Sequence, residues 1–243
     1  MIQKNISISF LNKKFLTAVF LLFTVFSYSQ ENTDNKNTES SKPTVASDTI
    51  PYKYGLRLGI DLKGPISTLL NSDNELIKAT ADARIYKNYF VAAEMGYEKN
   101  IYESVNLNYT TSGYFLTVGA DYDFLGYTPG RNDVMAFGIR YGISRFEQTV
   151  DEYQIQNAYW NNDTYTGSLD SQVGYAHWAN FRLGLKVEVL KNLYLGTSVG
   201  VNFLFTDSKL DNFSNLYIPG FGKNRNNVSW VFNYTVMYLI PFN

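Results

Sequence analysis

The chain has 243 residues, with 21 basic and 22 acidic side chains, one histidine and no cysteine. This balance of charge gives no reason to expect a nucleic-acid partner, and the lack of cysteine excludes disulfides and thiol-ligated metals. The 20 tyrosines, 17 phenylalanines and 17 glycines favour strands. No phosphate-binding loop or calcium-type loop is present in the sequence, so we predict no cofactor and no metal.

Residues 1–29 have the features of a secretory signal peptide. Lys13 and Lys14 precede an apolar run, residues 15–26, and the small residues Ser27 and Ser29 follow it. The run is shorter than the ~20 residues of a transmembrane helix, so we predict export, with an uncleaved anchor as the alternative. Residues 30–50 are rich in Asn, Ser, Thr and charge, which predicts a disordered polar linker.

From residue 51 to residue 243, apolar residues alternate with small or polar ones, which is the periodicity of strands. In the first segment Leu58 and Ile60 fall on one face, and Arg57 and Asp61 fall on the other. The segments with this pattern are residues 53–63, 76–86, 89–98, 113–124, 134–145, 179–189, 191–205 and 228–242. Beyond the signal peptide, no stretch has convincing helical periodicity.

Short and long connections alternate between these segments. Lys87–Asn88 and Lys191–Asn192 are predicted hairpin turns, and residues 125–133 form a modest connection. The longer polar segments are residues 64–75, 99–112, 147–172 and 206–227. An even number of strands with short turns at one end and long loops at the other predicts an all-β fold: an eight-stranded antiparallel up-and-down transmembrane β-barrel.

A soluble lipocalin-like ligand-binding barrel also alternates, with its apolar face inside. The glycines separate the two interpretations. Gly138, Gly142, Gly196 and Gly200 all lie on the polar face, and only a narrow barrel interior gives a reason to avoid side chains there. We therefore expect the polar face to line the lumen and the apolar face to contact lipid.

The last segment carries Tyr238, Ile240 and Phe242 at alternate positions, followed by Asn243. Its alternate aromatics resemble the signal read by the outer-membrane assembly machinery, although the commonest form ends on the aromatic residue. Over residues 51–243 the chain resembles the small eight-stranded outer-membrane barrels of Gram-negative bacteria. The resemblance implies contact with outer-membrane lipid and insertion by the barrel assembly machinery from the periplasm, and it carries over no catalytic or binding residue.

The predicted inward face carries charges of both signs in equal number, which is what a plugged interior needs because an unpaired buried charge is costly. We predict a lumen charge network in which the arginines pair with Glu94, Asp121 and Glu188. The predicted members of the network are Arg57, Asp61, Arg84, Glu94, Asp121, Arg140, Arg182 and Glu188.

His177 is the one residue that raises the question of catalysis. Parity places it on the lipid face near the outer rim, and no recognisable spacing ties it to Ser171. We interpret it as part of an aromatic belt with Tyr175 and Trp178. The predicted function is therefore a non-enzymatic one, structural or interactive, with another envelope protein as a candidate partner. A lipid-modifying barrel enzyme is the alternative.

Aromatic residues in the long polar segments are candidates for recognition, because aromatics among Asn and acidic residues make adaptable binding surfaces. Alternatively, they pack on one another over the mouth of the barrel. The candidates are Tyr153, Tyr159, Trp160, Phe213, Tyr217 and Phe221.

Overall fold

The computed structural model describes residues 53–70, 74–126, 132–156, 164–208 and 215–242. The predicted signal peptide, residues 1–29, and the predicted linker, residues 30–50, lie outside these ranges. The elements are β1 (Gly55–Asp61), α1 (Lys63–Leu70), β2 (Asn74–Tyr86), β3 (Tyr89–Ser104), β4 (Leu107–Asp123), β5 (Val134–Gln156), β6 (Thr164–Leu190), β7 (Leu193–Asp207), β8 (Tyr217–Ile218), β9 (Gly222–Lys223) and β10 (Val228–Pro241).

Within the described residues, eight strands close into one antiparallel barrel, in the order β1-β10-β7-β6-β5-β4-β3-β2. The ring closes at β1, which pairs with β2 on one side and with β10 on the other, from Gly55 opposite Pro241 to Asp61 opposite Thr235. The predicted eight-stranded up-and-down barrel is confirmed. The two short strands β8 and β9 form a separate hairpin within the β7–β10 connection.

Burial along the strands follows the predicted parity. On β1, Leu58 and Ile60 are 45% and 57% exposed, whereas Arg57 and Asp61 are 4% and 2% exposed. A soluble barrel would bury the leucine and isoleucine and expose the charges, because water solvates charge and not hydrocarbon. The exterior is therefore a lipid-facing surface.

Aromatic residues mark two levels of that exterior on neighbouring strands. Tyr89 and Tyr122 lie opposite each other with ring centroids 5.1 Å apart, and Tyr97 and Tyr114 lie opposite each other at 5.0 Å. The two levels are separated by roughly 26 Å along β3, at 3.3 Å per residue. Pairs of amphipathic rings on either side of an apolar stretch are the aromatic girdles expected of a membrane barrel.

One end of the barrel, called here the turn end, contains the tight connections. Lys87–Asn88 joins β2 to β3, and Lys191–Asn192 joins β6 to β7, as predicted. Asn192 has a φ of 66°, a left-handed conformation that asparagine tolerates better than most residues with a side chain. In barrels of this class the short turns face the periplasm.

The opposite end, called here the loop end, differs from the sequence prediction because much of the polar sequence is strand. Only Val105 and Asn106 separate β3 from β4, and β5 and β6 have 23 and 27 residues. A strand crosses the bilayer with about 9–11 residues, so β5 and β6 continue well beyond it. Alternation failed to predict these extensions because some of their buried inward positions are polar, such as Thr111 and Gln148, which are 0% and 2% exposed.

Helix α1 was also not predicted. It begins directly after β1, where the Lys63 backbone N–H donates to Asp61 Oδ1 at 2.8 Å, and Pro65 occupies its first turn, where proline is tolerated. A Cβ on Gly64 would overlap the carbonyl of Leu76, so glycine lets the helix lie directly against β2. No helix in the described ranges is long and apolar enough to cross a membrane.

Candidate functional site

The lumen is packed in layers, and the layer at the turn end is aromatic. Phe90 is fully buried with Val134 and Ala136, and Tyr194 is buried with Met237. The Arg57 guanidinium lies 4.6 Å from the centre of the Phe90 ring and 5.3 Å from that of Tyr194. These contacts cover the turn end of the lumen with rings and a cation stacked on them.

On the loop-end side of this aromatic layer, a continuous series of ion pairs crosses the lumen. Lys186 Nζ lies 2.6 Å from Asp82 Oδ2 and 3.7 Å from Asp121 Oδ2, so it joins two carboxylates. Glu94 likewise joins two arginines, Arg140 and Arg182. The complete series of linked charges is Arg57, Asp82, Lys186, Asp121, Arg140, Glu94 and Arg182.

Five predicted members of the charge network therefore lie together, namely Arg57, Glu94, Asp121, Arg140 and Arg182. The partner expected for Arg57 was wrong, because Arg57 pairs with Asp82 on the neighbouring strand β2. Asp61 is held by Lys78, whose Nζ lies 2.8 Å from Asp61 Oδ2. Sequence parity had placed Asp82, Lys78 and Lys186 on the inward face, but gave no means of choosing their partners.

Two predicted members lie near the turn end instead. Arg84 is 3.9 Å from Asp123, which was also not its predicted partner. Glu188 was wrongly assigned to the lumen network: its carboxylate pairs with Lys53 at 3.1 Å and accepts a hydrogen bond from the Asn192 backbone N–H at 2.8 Å. The register shift after Glu188 and the hairpin turn beside it place this carboxylate at the rim.

The loop-end half of the lumen contains a cavity of about 530 Å³. The β8–β9 hairpin lies over it, with Ile218 and Phe221 fully buried. Phe221 packs edge-on against Trp178 with ring centroids 6.0 Å apart, and Asn202 Nδ2 donates to the Phe221 carbonyl at 2.8 Å. The segment 217–223 is called here the lid.

The buried Glu98 side chain accepts two hydrogen bonds from the lid. The Tyr217 hydroxyl donates to one carboxylate oxygen of Glu98, and the Gly220 backbone N–H donates to the other at 2.8 Å. Burial and the neighbouring Glu98 carboxylate raise the pKa of Tyr217 well above its usual value, so the phenol stays neutral. Parity along the strand predicts that Glu98 faces inward, but it does not predict its contacts with the lid.

The loop residues predicted for recognition divide into three groups. Tyr159, Trp160 and Phe213 lie outside the described residues. Tyr153 is half-buried on the extension of β5. Tyr217 and Phe221 follow the alternative of packing over the mouth of the barrel, because the lid turns both into the barrel, where hydrophobic burial and Glu98 hold them.

Trp178 was also wrongly placed in the aromatic belt, since it is fully buried in the lumen against Gly142, where a Cβ would overlap its indole ring. His177, the next residue, does face outward, and Tyr141 Oη lies 2.8 Å from His177 Nδ1. Ser171 instead hydrogen-bonds Glu147. Six steps along β6 separate Ser171 from His177, which corresponds to about 20 Å and is too far for a general base to reach a nucleophile.

In the described part of the chain, no three His, Asp or Glu side chains are grouped as metal ligands. Residues 12–243 match the sequence model of a family described as a domain of unknown function, DUF6048. The chain belongs to the DUF6048 family. No curated protein matches this DUF6048 chain.

Solved structures similar to this DUF6048 chain are small outer-membrane β-barrels. The attachment invasion locus protein Ail of Yersinia pestis is 10% identical, with a TM-score of 0.37 over 78% of this chain and 98% of its own. Neisserial surface protein A is 14% identical, with a TM-score of 0.36 over 77% and 95%. The N-terminal β-barrel domain of Pseudomonas aeruginosa OprF is 12% identical, with a TM-score of 0.32 over 77% and 98%.

Proposed function

We propose that this DUF6048 protein is a non-enzymatic outer-membrane barrel with a structural or interaction role, and that its lumen is closed to ions. The observation that carries the proposal is the series of ion pairs across the middle of the barrel, from Arg57 to Arg182. Asp82 and Glu94, each shared between two cations, are only 3% and 6% exposed.

A permeating ion would have to separate these pairs. Removing one partner of a buried pair leaves an uncompensated charge in a medium of low dielectric constant, which costs about 3–5 kcal/mol. Such a barrier, repeated at successive pairs, supports a plugged lumen. The aromatic layer around Phe90 and Tyr194 narrows the same path at the turn end.

The proposed location rests on two features. The apolar exterior between the two tyrosine levels requires a bilayer, and the predicted signal peptide supports export to the periplasm. Outer-membrane lipid is then the surrounding partner, and the barrel assembly machinery is the partner during insertion. Fractionation of native envelopes tests this proposal, and recovery of the protein in a soluble fraction would contradict it.

The interaction role is supported by the length of β5 and β6. Their paired extensions continue from Gln148 to Gln156 on β5 and from Thr164 to Gln172 on β6, beyond the span that a bilayer requires. These paired extensions, called here the stalk, offer a surface for another envelope protein. Cross-linking from the stalk in native membranes, followed by identification of the attached protein, tests the proposal against a matched cross-linker near the turn end.

Conductance in planar bilayers tests the closed lumen. We expect the purified protein to give no stable conductance steps. A variant that combines Asp82→Ala with Glu94→Ala removes both shared carboxylates and should produce small, unstable events. Large and stable steps from the unaltered protein would show that the lumen is open and would contradict the proposal.

A further inference from the structure

The barrel wall is incomplete on one side at the loop end. Strand β1 has 7 residues, whereas its neighbours β2 and β10 have 13 and 14. The last β1–β10 pair is Asp61 with Thr235, and the last β1–β2 pair is Ile60 with Ala79. Among the described residues, no strand pairs with 75–78 of β2 or with 228–234 of β10 on the sides that face each other. This gap is called here the seam.

The seam lies in the half of the membrane span nearer the loop end. Outward side chains on both of its edges are apolar and strongly exposed: Ile77 on β2 is 77% exposed, and Trp230 and Phe232 on β10 are 69% and 53% exposed. The Leu62 backbone N–H donates to the Tyr234 carbonyl at 2.6 Å and closes the lower end of the gap. Helix α1 lies against the β2 edge through Gly64.

The loop-end cavity reaches the seam from inside. Inward residues of both edges line it, Leu76 and Lys78 on β2 and Ser229, Val231 and Asn233 on β10. The outward-facing Trp230 lines the cavity as well, so the cavity reaches the outer surface at the seam, where no backbone ladder closes the wall.

The charges that line the cavity favour an anion. Lys63, Lys78, Arg182, Lys223 and Arg225 line it, against the acids Glu94 and Glu98. The two acids are already engaged, Glu94 by arginines and Glu98 by the lid. Lys63, Lys223 and Arg225 form no ion pair with any residue that the structure describes. Lys223 Nζ lies over the Tyr102 ring, 5.9 Å from its centre, so Lys63 and Arg225 are the two cations available to the cavity.

The cavity wall is also unlike a closed apolar core. Thr117 and Trp178 line the cavity and are 3% and 0% exposed. Thr117 Oγ1 and Trp178 Nε1 have no hydrogen-bond partner within the described ranges. Buried polar atoms normally have hydrogen-bond partners. These two unpartnered atoms therefore indicate that the space beside them is occupied by polar groups and is not filled by side chains.

We propose that the cavity holds the anionic headgroup of a lipid from the surrounding leaflet, with its acyl chains leaving through the seam. The polar and cationic interior matches the headgroup, and the apolar edges formed by Ile77, Trp230 and Phe232 match the chains. A soluble anion would use the same cations but has no use for an opening toward lipid. The inference does not depend on whether the lumen conducts ions.

The test is native mass spectrometry of the protein released from bilayers of phosphatidylcholine and phosphatidylglycerol. We expect one phosphatidylglycerol to be retained in preference to phosphatidylcholine. The double variant Lys63→Gln with Arg225→Gln should weaken this retention about 25-fold, at a factor of about five per cation near an anionic lipid. The matched control, Arg145→Gln with Lys191→Gln, removes two exposed cations away from the cavity and should retain the lipid.

Two further arms keep the outcome decisive. Val231→Trp fills the seam side of the cavity and should expel the lipid while the barrel still shows its folded mobility in gels. Glycerol phosphate, which carries the anionic group without chains, should bind much more weakly than phosphatidylglycerol. Equal loss in the cavity and control variants, equal retention of both lipids, or equal binding of glycerol phosphate would each overturn the proposal.

Discussion

The two halves of the lumen are built in different ways on the same ring of strands. In the turn-end half, side chains of the barrel strands fill the interior by themselves, through linked ion pairs around Asp82, Asp121 and Glu94. In the loop-end half, the strands leave a cavity of about 530 Å³, and a separate segment, the lid, covers it. Strand β1 also completes the barrel wall around the turn-end half, but it ends before it reaches the loop-end half.

This difference shows which half is free to change. The turn-end half combines a continuous hydrogen-bonded wall with charges that are costly to separate, so we expect it to behave as one rigid unit. The loop-end half depends on a few lid contacts, chiefly Phe221 with Trp178 and Tyr217 with Glu98. Binding and motion are therefore expected at the loop end, and stability is expected to come from the turn end.

The largest effect should come from removing a shared carboxylate in the turn-end half. Asp82→Asn leaves Arg57 and Lys186 without their common anion in a sealed interior. We expect the free energy of unfolding to fall by about 3–5 kcal/mol, measured by urea unfolding from lipid vesicles.

Two other substitutions serve as comparisons for Asp82→Asn. Glu103→Gln changes an exposed acid and should leave the free energy of unfolding unchanged. Glu98→Gln changes a buried acid whose partners are neutral donors of the lid, so its effect should be smaller and local. Equal losses for Asp82→Asn and Glu98→Gln would mean that the two halves do not differ as the structure indicates.

The next effect in size tests the exterior of the barrel. Val118 faces outward on β4, midway between Tyr114 and Tyr122 of the two aromatic levels. Val118→Arg should lower the free energy of unfolding by about 2–4 kcal/mol, because the middle of the bilayer cannot solvate the guanidinium. Val105→Arg, at an 88% exposed position in the β3–β4 turn, should have almost no effect. The reverse order would mean that Val118 does not face lipid.

The sequence predicted the barrel, its two tight turns and the facing of its membrane strands, because lipid outside and a narrow lumen inside impose strict alternation. It did not predict the strand extensions toward Gln156 and Thr164, because buried inward positions such as Gln148 are polar. It also missed α1, whose eight residues are too few to show a helical period. The structure of these segments depends on backbone hydrogen bonds and on contacts such as that of Gly64 with β2.

The candidate site was predicted less completely for a related reason. Parity indicates which residues face inward, but the partner of a charge depends on strand stagger, which sequence alternation leaves open. Arg57 therefore pairs with Asp82, and Glu188 reaches the rim. The inward orientation of Phe221 could not be predicted either, because a loop of mixed aromatic and polar residues has no periodicity that shows which way its side chains point.

The smallest effect should be the one confined to the lid. Tyr217→Phe removes the hydroxyl that donates to Glu98 while it keeps the ring. Since a hydrogen bond to a charged group contributes about 1.5–3 kcal/mol, we expect the lid to open more often while the turn-end half stays folded. Opening can be followed by the emission of Trp178, which Phe221 contacts, in a background with Trp160→Phe and Trp230→Phe. Tyr114→Phe, on the lipid-facing surface, is the control and should leave the emission unchanged.

The pH dependence of the same signal separates the hydroxyl from the ring. The pKa of Tyr217 is raised well above its usual value in the closed lid, by burial and by Glu98, so the closed lid binds the phenolic proton more tightly than the open one. The contribution of Tyr217 to closure is therefore fully present below pH about 10, where the exposed phenol begins to ionise, and it is lost as the pH rises through the raised pKa. We expect the Trp178 emission to shift above pH about 10 in the parent protein. The Tyr217→Phe variant has no phenol at this site and should show no such added shift, whereas an identical alkaline shift in both proteins would mean that another group controls the lid.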